Sequence, residues 1–220
     1  MPGRDQVAAN LAAIRARIER AGGDPDAITI VAVTKGQPVE ACLAAVAAGL
    51  TVLGENRVQE ALDKMDQVPG AAWHLIGHLQ TNKARHAGRF ALVQSLDSVR
   101  LAEALAARGH AAALLEVNVS REPQKHGAAP EEAVATAAAM DGLVDLRGLM
   151  GIGPTGGDPR PAFAELRRLR DEAEQRLGRR LPVLSMGMSD DLEAAVAEGT
   201  TMVRIGRALL GPRLQTLRDG

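Results

Sequence analysis

Lys35 stands where a covalent chemistry could begin. It closes the run Ile28-Thr29-Ile30-Val31-Ala32-Val33-Thr34, and Gly36 and Pro38 break the chain directly after it. A continuous Val- and Ile-rich run reads as a strand buried on both faces. A lysine at its carboxyl end occupies the position where parallel α/β folds carry their chemistry. The chain has only four lysines, Lys35, Lys64, Lys83 and Lys125, and otherwise uses arginine for positive charge. Arginine stays protonated, whereas a desolvated lysine can lose its proton and act as an amine nucleophile. Lys64, Lys83 and Lys125 lie in polar stretches, so Lys35 is the candidate. The plainer alternative is a lysine that snorkels from a strand end into water.

A second group of residues could hold an anion. Ser185-Met186-Gly187-Met188-Ser189 offers hydroxyls and a glycine, and Gly206-Arg207-Ala208 puts a glycine before a helix start. Such segments after the last two strands of a barrel form phosphate sites, although each alone is more often an ordinary turn. Arg204 shares a strand face with Gly206 by alternation and needs an anion or an acceptor. The competing expectation for Arg204 is an ion pair with Glu55 or Glu116.

Other constellations are missing. There is no phosphate-binding G-x-x-x-x-G-K-[ST] and no H-E-x-x-H. His74 and His78 stand four apart across a strand end and a loop, with no carboxylate or third histidine in the local sequence. They are read as core or supporting residues, and no metal site is expected. Lys83, Arg85, His86 and Arg89 read as a solvated helix face. Cys42, the single cysteine, lies in an alanine-rich helical run and reads as structural.

Eight strands must position these residues. They are expected at Ile28–Lys35, Thr51–Gly54, Trp73–Gly77, Ala91–Leu96, Ala112–Val119, within Leu143–Ile152, at Pro182–Gly187 and at Met202–Gly206. Helices separate them, an extra helix built on Val7, Leu11, Ile14 and Ile18 precedes them, and a closing helix follows the last strand. Asp97 or Ser98 is expected to cap one helix, and Ser189 another that runs to Glu198. Alternation of this kind means a parallel sheet, and eight units closing on themselves mean a (β/α)8 TIM barrel, with an open doubly wound sheet as runner-up. No linker divides residues 1–220, so one domain is expected.

Composition narrows the partners. Net charge is −1, and there are one Trp, two Phe and no Tyr. Neither nucleic acid nor a membrane surface is an expected partner. No apolar stretch reaches membrane-spanning length and no leader-like apolar segment opens the chain, so a cytoplasmic protein is expected.

Several motifs in order resemble the pyridoxal 5′-phosphate homeostasis protein family. They are Val33-Thr34-Lys35, Gly54-Glu55-Asn56-Arg57-Val58-Gln59-Glu60, Trp73-His74-Leu75-Ile76-Gly77-His78-Leu79-Gln80-Thr81-Asn82-Lys83, Leu146-Arg147-Gly148-Leu149-Met150, Ser185-Met186-Gly187-Met188-Ser189-Asp190-Asp191 and Met202-Val203-Arg204-Ile205-Gly206. The resemblance implies a barrel like the N-terminal domain of alanine racemase, without its C-terminal β-domain. It implies pyridoxal 5′-phosphate as cofactor, held by Lys35 as an internal aldimine. Ser185, Gly187, Gly206 and Arg207 would hold the phosphate, Arg204 would face the pyridine nitrogen, and Asn56, His74 and Met150 would line the ring. Two positions depart from the family: Arg57 stands where an aromatic is frequent, and Arg207 where threonine is frequent. The second departure leaves open whether a side chain or the backbone meets the phosphate.

Three functions compete: a carrier that binds, buffers or delivers the cofactor, a pyridoxal-phosphate racemase, and a class I aldolase using a bare lysine. Racemisation needs an acid or base on each face of the substrate carbon. No tyrosine can serve on the second face, and an arginine at the ring nitrogen weakens the electron sink. The expectation is a carrier without turnover, monomeric or a weak dimer, with apo forms of pyridoxal-phosphate enzymes as recipients.

Overall fold

The computed structural model describes residues 2–109 and 111–212. Eight parallel strands close into a barrel in sequence order: β1 (Thr29–Val33), β2 (Val52–Glu55), β3 (Ala72–Leu75), β4 (Leu92–Leu96), β5 (Ala112–Val117), β6 (Asp145–Gly151), β7 (Val183–Ser185) and β8 (Met202–Ile205). Pairing of β1 with β8, from Thr29–Met202 to Ala32–Ile205, completes the closure and rules out the open sheet. Helices α1 (Arg4–Arg20), α2 (Val39–Ala47), α3 (Val58–Met65), α4 (Val99–Ala106), α5 (Ala133–Met140), α6 (Arg160–Leu177), α7 (Leu192–Ala197) and α8 (Arg207–Leu210) accompany the strands. The segment Thr81–Arg89 is a 3₁₀ helix, and another 3₁₀ turn, Pro130–Glu132, leads into α5. The closing helix is described only as far as α8, and Arg213 to Gly220 lie outside the described residues.

Strand alternation sorts the core into two layers. Ile30, Ala32, Leu53, Trp73, Leu75, Val93, Leu115, Leu149, Leu184, Val203 and Ile205 point outward and pack under the helices. Val31, Leu92, Leu114, Met150 and Met202 point inward and fill the bottom of the barrel. The same alternation aims Val33 and Lys35 of the first strand, and Arg204 and Gly206 of the last, at the upper interior. Strands β6 and β7 approach so closely that a Cβ on Gly148 would fall 1.7 Å from the Val183 carbonyl oxygen, so only glycine fits there.

Two expected caps differ from the structure. Helix α7 begins at Leu192, and Ser189 lies in the preceding loop, where the Met188 N–H donates to Asp191 Oδ1 at 2.5 Å. Ser98 holds the cap position of α4, but its hydroxyl donates to Asp97 rather than capping a backbone N–H.

Candidate functional site

At the carboxyl end of the strands lies a cavity of about 550 Å³, within the range of small-molecule sites. Lys35, Asn56, Arg204, Gly206 and Arg207 line it. Val33, Ile76, Ile152 and Met188 give it apolar surface, and the loops 153–157 and 188–191 form two of its sides. His74, Met150, Ser185 and Gly187 are not among its lining residues.

Lys35 is held from both flanks. The Thr34 hydroxyl donates to Glu55 Oε1 at 2.6 Å, Lys64 Nζ donates to the Thr34 carbonyl at 2.9 Å, and the Gly36 N–H donates to Glu60 Oε1 at 2.6 Å. Lys64 also bridges Glu55 at 2.6 Å and Glu60 at 2.7 Å. Burial works to lower the Lys64 pKa, but the two carboxylates overcome it and the net shift is upward. Burial raises Glu55, and Lys64 offsets only part of that rise. The expectation that Lys64 is simply in polar surroundings is therefore corrected. It is 7% exposed and charge-paired, on the α3 stripe shared with Val58 and Ala61. Cys42 is buried on α2 and its thiol is pushed up to about 11 by desolvation, consistent with a structural role.

Beneath the cavity a buried polar chain crosses the barrel. The Gln94 amide donates toward His74 Nδ1 at 2.9 Å, and the Ser185 hydroxyl donates to Gln94 Oε1 at 2.7 Å. Arg204 donates from Nη1 to Ser185 Oγ at 2.7 Å and from Nη2 to the Gly151 carbonyl at 2.9 Å. Buried polar groups are tolerated when so satisfied. Desolvation lowers His74 to about 4, so the ring is neutral and accepts from Gln94. Desolvation also pulls Arg204 down to about 10, with Glu116 pushing the other way, and the guanidinium stays charged at neutral pH. Glu116 is raised to about 7 by burial, and the Arg204 charge offsets part of that rise. Arg204 thus rests on hydroxyl and carbonyl acceptors, while Glu55, one of its expected ion-pair partners, is taken by Lys64.

Ser185 supports Arg204, and the hydroxyl-bearing residues that line the cavity are Ser189 and Thr155. Gly187 has φ +94°, and a Cβ there would lie 2.5 Å from Ala195 Cβ. It therefore lets the chain turn over α7 and carry Met188 and Ser189 to the cavity. Arg207 lies 3.6 Å from Asp190 in an exposed pair.

Sequence reading passed over two further elements. Lys125 lines the cavity and donates to Glu122 Oε1 and the Gly153 carbonyl, both at 2.7 Å. Glu122 also accepts from the Thr155 N–H and hydroxyl, and Lys125 with Thr155 holds it down to about 2. These bonds tie the loop after β5 to the Gly-rich loop after β6, so that segment is a built wall. Gln94 was legible as a polar residue inside the apolar run Ala91–Leu96, but its partners lie on other strands.

The family model of the alanine racemase N-terminal domain matches residues 4–213. A protein of Pseudomonas aeruginosa named pyridoxal phosphate homeostasis protein is 43% identical, over 94% of this chain and 96% of its own. One of that name from Escherichia coli is 39% identical, over 95% and 97%. This chain belongs to the pyridoxal phosphate homeostasis protein family. PipY of Synechococcus elongatus, solved with pyridoxal phosphate bound, superposes with a TM-score of 0.82 at 37% identity, over 93% of this chain and 100% of that one. Alanine racemase of Clostridium difficile shares the fold at 15% identity and a TM-score of 0.74, with 59% of its length covered. Among the described residues no helix is long and apolar enough to cross a membrane.

Proposed function

We propose that this chain binds pyridoxal 5′-phosphate at the barrel mouth, with Lys35 as the covalent anchor, and keeps it available to apo enzymes in the cytoplasm without turnover. The observation that carries the reading is one cavity that unites the Lys35 amine with the turns after β7 and β8. The residues fit the group. Val33, Ile76, Ile152 and Met188 suit the faces of a flat ring, and Ser189, the first N–H groups of α8 and Arg207 suit a phosphate. When bound, the cofactor supplies an aldehyde that an amine captures reversibly. Lys35→Ala is expected to lose the visible absorbance band and the borohydride-stable adduct. A persisting adduct on another lysine overturns the assignment of Lys35.

The absence of turnover rests on the chain's own proton carriers. A racemase must remove a proton from one face of the substrate Cα and return one to the other. The chain contains no tyrosine, and His74 is bonded to Gln94 beneath the cavity. Arg204, fixed by two acceptors, can only donate toward a ring nitrogen. Loaded protein with L-alanine or L-serine in deuterated water is expected to show no sustained inversion or Cα exchange. Racemisation at ordinary enzyme rates, about 1–10³ per second, returns the enzyme reading to first place.

A further inference from the structure

We propose that His78, Asp97 and His126 form a binding site for one divalent transition-metal ion of the zinc, nickel or copper type. The expectation that no carboxylate or third histidine stands near His74 and His78 fails for His78 in three dimensions. His78 follows β3, Asp97 directly follows β4, and His126 lies in the loop after β5. Consecutive parallel strands deliver all three to the same end of the barrel. His78 Nδ1 lies 3.1 Å from Asp97 Oδ2, the two imidazoles stack with centroids 4.3 Å apart, and the three donor atoms all lie within 4.8 Å of one another. Both histidines are exposed, so an ion has access from water.

The donor set selects the metal class. Two imidazoles and one carboxylate suit zinc, nickel and copper and are poor for magnesium or calcium, which prefer oxygen shells. With bonds of about 2.0–2.2 Å, neighbouring donors in a tetrahedral shell lie about 3.4 Å apart. The His78–Asp97 pair, at 3.1 Å, needs to open only slightly to reach that spacing. The rings are 15° from parallel, so their in-plane lone pairs run side by side and do not yet converge. Turning the exposed His126 ring about its Cβ–Cγ bond brings its nitrogen to the ion, and χ2 of histidine is a soft torsion. Three protein donors leave a position for water. An ion here ties together the loops after β3, β4 and β5. The last of these carries Lys125, the neighbour of His126, on the cavity wall.

The test titrates zinc chloride into the tag-free full-length chain in phosphate-free buffer, without pyridoxal phosphate, by calorimetry and thermal melting. One zinc per chain is expected, with a raised melting temperature. His126→Ala and Asp97→Asn are each expected to weaken binding more than roughly tenfold, since even an outer-shell partner of a metal is worth that much. Their own melting curves without metal show that they fold. Copper(II) resonance spectra are expected to show two coupled nitrogens, and one in His126→Ala. Equal affinity in wild type and His126→Ala, or several weak sites that neither substitution changes, overturns the proposal and leaves a plain histidine–aspartate contact with ring stacking.

Discussion

His74 is a neutral histidine inside a barrel, and its burial ties stability to pH. Its pKa in the folded chain is about 4, against an ordinary value near 6.5. Above about pH 6.5 the ring is neutral folded or unfolded, and its contribution is fully present. As pH falls from about 6.5 to 4 only the unfolded chain takes up the proton, so stability is lost, by about 3 kcal/mol at most. His74→Gln is expected to flatten the pH dependence of urea unfolding across that window. Coincident slopes in the two proteins assign the acid sensitivity to another group. The position of Lys35 at the carboxyl end of a buried strand was legible because an apolar run closed by Gly36 and Pro38 needs only local sequence. The engagement of Ser185 by Gln94 and Arg204 was not, because it depends on which residues of β4, β7 and β8 meet across the interior.

At the scale of elements, the network of Thr34, Glu55, Glu60 and Lys64 joins the end of β1 to β2 and α3. Lys64 donates to three oxygens from those elements. Breaking a buried pair by removing one partner costs about 3–5 kcal/mol, because the remaining charge stays desolvated. Lys64→Met is expected to lose stability of that order in urea unfolding, and Lys64→Met with Glu55→Gln to recover part of it. A loss below about 1 kcal/mol, the value typical of an exposed pair, means that water reaches the network. The eight strands and their order were readable because each carries an apolar run between turn residues. The burial of Lys64 was not read, because a lysine on a short polar helix ordinarily faces water. The His78, Asp97 and His126 grouping was beyond local reading, because barrel curvature brings three successive loops together.

At the scale of the molecule, the cavity is lined by an amine just after β1 and by the turns after β7 and β8, whose strands are neighbours in the closed barrel, and the proposed anion site lies in those turns. Pyridoxal lacking the phosphate is therefore expected to bind far more weakly than pyridoxal 5′-phosphate, since each hydrogen bond to a charged group contributes roughly 1.5–3 kcal/mol. Equal affinities, measured by competition for the absorbance band, remove the turns after β7 and β8 from the site. The β1–β8 seam has a further consequence in time. Lys35 leaves the ribosome long before Gly206, which lies across the seam beside Val33, and at about 5–20 residues per second the delay is roughly ten to thirty seconds. Throughout that interval the amine is present while its opposite wall does not yet exist. The cavity that Lys35 shares with the turns after β7 and β8 is therefore complete only once the last strand has closed.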